Sequence, residues 1–92
     1  MTEKQMLNMR MKTTKAFIKY SEDTHIRIII WENNTIYNIV ECEKANLFLK
    51  NGQFRSFAQD LFVEAMQERC TGWQVEILNE TSEIIQTLNI KN

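Results

Sequence analysis

The sequence has no proline, two glycines, two cysteines and one histidine in 92 residues. Each shortage excludes something. With no proline and with glycine only at 52 and 72, long irregular loops have little to build on. Cys42 and Cys70 lie too far apart for zinc-ligand spacing. One disulfide is a poor expectation without an export signal, so both thiols read as small buried hydrophobes. Gly52 and Gly72 both read as helix stops, which leaves no glycine loop to cradle a phosphate. No apolar run approaches the ~18 residues of a membrane span. The opening MTEKQMLNMRMKTTK lacks the apolar core of a signal peptide, and a cytoplasmic location is the expectation.

What is present is an ordinary globular balance: 43% apolar and 25% charged residues, with a formal net charge of −1. The charge is uneven. Residues 1–20 carry Lys4, Arg10, Lys12, Lys15 and Lys19 against Glu3 alone, while the rest of the chain holds eleven acids against six bases. A basic beginning on an acidic body suits contact with a nucleic acid or an acidic partner, or simply a solvated terminal segment.

The clearest element is Ser56 to Gly72, where Ala58, Leu61, Phe62, Ala65, Met66 and Arg69/Cys70 recur at helical spacing. Ser56 with Gln59 forms a capping-box pattern, and Gly72 suits a helix end. Before it, residues 1–12 read as a weak helix or a disordered basic lead to a single domain over residues 13–92. Within that domain Thr14–Tyr20, His25–Glu32 and Thr35–Cys42 alternate as strands, the last two joined by a tight Asn33-Asn34 turn. Glu43–Asn51 reads as a short helix, Trp73–Asn79 as a strand, and Glu83–Ile90 as a further strand in preference to a terminal helix. The expected fold is α+β. An antiparallel sheet, a three-stranded meander followed by one or two C-terminal strands, packs on one main amphipathic helix with a short helix before it.

The hairpin register divides the residues between faces. A two-residue turn sets Ile30 opposite Tyr37 and Ile28 opposite Ile39, so Ile26, Ile28, Ile30, Tyr37 and Ile39 should meet the helix, joined by Ala16, Ile18 and Tyr20. The other face then holds Lys15, Phe17, Lys19, Arg27, Ile29, Trp31, Ile36, Asn38 and Val40. An even first turn would exchange the first strand's residues between the faces.

Candidate chemistry is sparse. His25 near Cys42 across the hairpin is the one conceivable nucleophilic dyad, and nothing supplies an oxyanion hole or an orienting third group. Glu41 and Glu43 flank Cys42, and Glu64 and Glu68 lie one helical turn apart; a solvated face explains both pairs. The expectation is therefore no catalytic residue, no metal and no cofactor. The surface of interest is the second sheet face. Phe17, Arg27, Trp31 and Ile36 offer the aromatics and arginine of a protein interface. Lys12, Lys15, Lys19 and Arg27 interleaved with aromatics would alternatively suit single-stranded nucleic acid. Burial of that face by the chain's own N-terminal segment is the bland reading, and a second copy of the chain is another candidate partner.

The stretch YNIVECEKANLFLKNG, from Tyr37 to Gly52, resembles a strand-to-helix passage in small phage anti-CRISPR proteins that block the CRISPR nuclease. It spans about a sixth of the chain, and no functional residue is carried over from it. The expected function is that of a small non-catalytic protein acting through a protein–protein surface. The resemblance implies a phage or mobile-element accessory protein that inhibits or regulates a host defence or nucleic-acid-processing enzyme. Nucleic-acid binding through a basic, aromatic sheet face is the alternative.

Overall fold

The computed structural model describes residues 2–92. Helix α1 runs from Glu3 to Lys19, strand β1 from His25 to Glu32 and β2 from Thr35 to Glu43; helix α2 (Ser56–Ala65) precedes β3 (Gly72–Leu78) and β4 (Ile84–Lys91). All neighbouring strands are antiparallel, in the order β2-β1-β3-β4. The class is α+β, with β4 extended as expected. The molecule is two layers thick, 36 × 33 × 19 Å, with the sheet's inner face buried against the helical layer.

Thr14–Tyr20 is not a strand. It is the second half of α1 and its C-cap, and the helix runs unbroken through residues 12 and 13. Leu7, Met11, Thr14 and Ile18 form one helical stripe across the expected boundary, and Met11, Thr14 and Ile18 are buried. Thr14 hides the stripe because it is polar. Its hydroxyl donates to the Arg10 carbonyl at 2.8 Å and accepts the buried Trp73 indole N–H at 3.0 Å, so the burial leaves no polar group orphaned. A capping box does exist, but at Thr2 and Gln5 of α1. At α2, Arg55 takes the cap position without a side-chain bond, and Ser56 is already helical.

Helix α2 stops at Ala65, short of Gly72, and turns closed by Met66, Gln67 and Cys70 N–H groups carry the chain to β3. Gly72 is a strand residue with φ 148°. A Cβ there would lie 2.1 Å from the Ile90 carbonyl oxygen, so it is close approach to β4 that demands glycine. The helix expected over residues 43–51 is a single 3₁₀ turn, Lys44–Asn46, followed by a tight loop in which Phe48 bridges Phe54. This also changes the reading of Tyr37–Gly52, which is a strand, a turn and a loop.

The core is led by Trp73, Phe62, Ile18, Ile26, Ile28, Ile30 and Ile77, all fully buried. Phe48, Phe54, Phe62 and Trp73 form a chain with successive ring centroids 5.2 Å apart. Lys15 and Lys19 on α1 set their ammonium groups over Phe54 and Phe48, at 5.4 and 5.5 Å from the ring centroids.

The β1–β2 hairpin closes at Asn33-Asn34, with Asn33 in the left-handed region at φ 55°. A bulge between Ile30 and Trp31 then shifts the register. Ile30 pairs with Asn38, Ile28 with Val40 and Ile29 with Ile39. Cys42 and Tyr37 pack against the core as expected, whereas Val40 joins them and Ile39 moves to the opposite face, each reversing its expected side.

Candidate interaction surface on the open sheet face

Because both helices lie on one side, the other side of the sheet carries no covering helix or strand among the described residues. The register lays that face out in rows, read across β2, β1, β3 and β4. The first row is Glu43, His25, Leu78, Ile84; the second Glu41, Arg27, Glu76, Thr87; the third Ile39, Ile29, Gln74, Asn89; the fourth Ile36, Trp31, Gly72, Lys91.

The second row is electrostatic. Arg27 donates through Nε to Glu41 at 2.6 Å and through Nη1 to Glu76 at 2.8 Å, and Gln74 donates to the other Glu76 oxygen at 3.0 Å. Glu76 is only 5% exposed, so these two donors meet the hydrogen-bonding needs of a carboxyl withdrawn from water. The hydrogen bond from Arg27 holds the Glu41 carboxyl below its ordinary value, and Glu41 and Glu76 in return raise the Arg27 guanidinium. His25 Nε2 lies 3.8 Å from the far Glu41 oxygen.

The last two rows are apolar on β2 and β1 and polar on β4. Ile36 and Ile39 on β2 are 47% and 49% exposed, beside half-buried Trp31 and buried Ile29. Gly72 contributes no side chain between Trp31 and Lys91, and a groove of about 320 Å³ opens there, lined by Trp31, Asn33, Thr71, Asn89, Ile90 and Lys91.

Of the residues singled out from sequence, Arg27, Trp31 and Ile36 share this face. Phe17 does not; it is on α1 and packs against the core. Lys12, Lys15 and Lys19 are likewise on α1, in the other layer, with Lys15 and Lys19 over aromatic rings. The basic sheet face expected from the strand reading of 14–20 is not formed, and the one arginine left on the face is held between two carboxyls. His25 and Cys42 are not a dyad: Cys42 pairs with Ile26 on the core side, whereas His25 belongs to the open face. Burial pushes both the Cys42 and Cys70 thiols up, away from the thiolate form a nucleophile needs. Glu64 has a structural partner the sequence did not suggest. It accepts the Tyr37 hydroxyl at 2.5 Å, which raises Tyr37 above its ordinary value, and Arg69 stacks 4.2 Å from that ring. Tyr37 is the residue opposite the bulge; the expected alternation already put it on the helix-facing side, and the structure adds the groups it meets there.

Among the described residues no group of three or more His, Cys, Asp and Glu side chains is arranged to hold a metal ion, and no helix is long and apolar enough to cross a membrane. Comparisons of this chain with protein-family models, with curated proteins and with solved structures find no match.

Proposed function

We propose that this chain is a non-catalytic binding protein that engages another protein through the open face of its sheet. The observation that carries the reading is the apolar part of that face on β1 and β2, where Ile36 and Ile39 adjoin Trp31, which lines the groove left by Gly72. An aromatic anchor beside a recess, bordered by a hydrogen-bonded ion-pair row, is the arrangement that concentrates binding energy at protein interfaces. The partner we envisage is a protein of the defence or nucleic-acid-processing kind that the Tyr37–Gly52 resemblance implies. Arg27 and its two carboxyls would set orientation more than affinity.

The test is affinity capture from a cell lysate with three forms of the protein: unaltered, Trp31→Ala, and Phe57→Ala. Phe57 is an exposed residue of α2 and serves as the control. A species retained in high salt and by Phe57→Ala, but weakened about thirtyfold or more by Trp31→Ala, is the expected result. Capture indifferent to Trp31→Ala and to Ile36→Asp would sink the proposal. Capture abolished by moderate salt or nuclease would replace it with nucleic-acid binding.

A further inference from the structure

The acids and bases of the chain are segregated, and the fold turns that segregation into a surface. Residues 4–21 and 44–59 hold eight of the eleven bases and none of the twelve acids. The first segment is nearly all of α1; the second runs from the 3₁₀ turn through the loop into the first turn of α2. The structure sets them side by side. Lys15 and Lys19 lie over the Phe54 and Phe48 rings of that loop, and the Lys44 ammonium donates to the Lys19 and Ser21 carbonyls at 3.1 and 2.8 Å. The Lys19 ammonium also sits against Gly52, where a Cβ would come within 2.5 Å of it.

On α1 the cations form a row. Lys12, Lys15 and Lys19 each follow a residue of the buried stripe, Met11, Thr14 and Ile18, and so share the flank of the helix beside it. Lys4 continues the row toward the N-terminus, and at the helical rise Lys4 to Lys19 spans about 22 Å. Lys50 and Arg55 are exposed on the adjoining loop. Among the described residues the ion pairs join His25, Arg27, Glu41 and Glu76 on the open sheet face, and none involves this row. Ammonium groups held over rings keep their charge and lose part of their freedom, so a partner has less ordering left to impose.

We propose that this flank of α1, with the adjoining loop, binds the phosphate backbone of a nucleic acid without reading its sequence. The chemistry chooses among anionic partners. A row of cations fits a partner whose charges are themselves in a row a few ångströms apart. Five of the six side chains are lysines, which meet phosphate as point charges, whereas the bidentate fork suited to a carboxylate belongs to arginine. Lysine is also depleted at protein interfaces, which disfavours an acidic protein. A membrane surface is disfavoured because the apolar stripe of α1 is buried in the core and cannot insert. The flank belongs to the layer opposite the open sheet face, and the inference does not rest on the proposed function.

The experiment is fluorescence anisotropy of labelled mixed-sequence oligonucleotides, single- and double-stranded, titrated with the full chain between about 50 and 200 mM salt. Engagement of roughly four to six phosphates would give log Kd a slope of about 3 to 5 against log salt. Lys15→Gln with Lys19→Gln should weaken binding at least tenfold and lower that slope by about 2. Because those two lysines also cover aromatic rings, Lys12→Gln with Lys50→Gln is a second pair with no part in those contacts, and the same loss is expected. Trp31→Ala should leave the affinity unchanged. No binding at the lowest salt overturns the inference, as does binding that survives both lysine pairs or that Trp31→Ala abolishes. So does equal competition by polyglutamate or by phosphatidylserine vesicles, which would put an acidic protein or a membrane in place of the nucleic acid. Oligonucleotide binding that Trp31→Ala spares, beside nuclease-resistant protein capture that it abolishes, would support both proposals separately.

Discussion

Arg27 is the residue on which the open face turns. Its two carboxyl neighbours come from the strands on either side, at register positions fixed by the ladder, so the ion pair reports that β1, β2 and β3 are in register. Glu41 is the member whose protonation should be visible in stability. Its folded value is depressed by Arg27, so the unfolded chain binds a proton more readily than the native one as the solution is acidified. The contribution is complete above the ordinary carboxylate range and is lost as pH falls from about 4.5 through the lower folded value. Urea midpoints followed from pH 7 to pH 3 should therefore drop less steeply in Glu41→Gln than in the unaltered protein, with the two curves converging at the acid end. Parallel curves would mean that the pair contributes nothing. Sequence reasoning reached Arg27, Trp31 and Ile36 because strand alternation around them is strong. It could not reach the Arg27–Glu41–Glu76 row, since that row requires β3 beside β1, a pairing between segments more than forty residues apart.

Among the elements, β1, α2 and β3 were legible from the period of their apolar residues, such as HIRIIIWE for a strand and Ala58, Leu61, Phe62 and Ala65 for a helix, while β2 followed from its turn and β4 from its isoleucines and threonine. The second half of α1 was not. TKAFIKY alternates over seven residues, and the buried position that would reveal a helix is a threonine, its polarity satisfied by the Arg10 carbonyl and by Trp73, fifty-nine residues away. The bulge in the first hairpin was equally hidden, because the Asn33-Asn34 turn predicts an uninterrupted ladder and the extra residue, Tyr37, is explained by Glu64 and Arg69 on the far side of the sheet. Gly72 marks the limit of reading a glycine by its neighbourhood. It follows a helical pattern and looks like a stop, yet its role belongs to the β3–β4 pair. Gly72→Ala should destabilise the protein by about 2 kcal/mol or more, since the new Cβ meets the Ile90 carbonyl at a positive φ. Amide exchange should accelerate first at Trp73, Ile90 and Asn92, where β3 and β4 close. A urea midpoint within error of the unaltered protein would show that β4 shifts freely.

For the whole molecule, the question is what makes two layers one folding unit. The sheet alone has a buried face with Ile26, Ile28, Ile30, Trp73, Val75 and Ile77 on it, and α2 supplies only ten residues to cover it. The rest of the cover is α1. Its Met11, Thr14 and Ile18 lie in the same buried layer, Thr14 holds the Trp73 indole, and Lys15 and Lys19 close over the loop aromatics that flank α2. The N-terminal helix is therefore part of the core rather than a lead into it, and residues 1–12 cannot be separated from 13–92 without cutting α1. A chain beginning at Lys12 would lose Leu7, Met11 and the Thr2–Gln5 cap, leaving eight residues of α1 to form a helix without its first turns. Helices that short are marginal in water and depend on the packing just removed. We expect the shortened chain to lose about 3–5 kcal/mol of stability, from the deleted Met11 and Leu7 packing together with fraying of Thr14 away from Trp73. Trp73 emission should shift to longer wavelength in the same variant, since the indole is now 1% exposed. A shortened chain that unfolds cooperatively at the unaltered midpoint would show instead that the sheet and α2 suffice, and that α1 docks on a core already complete.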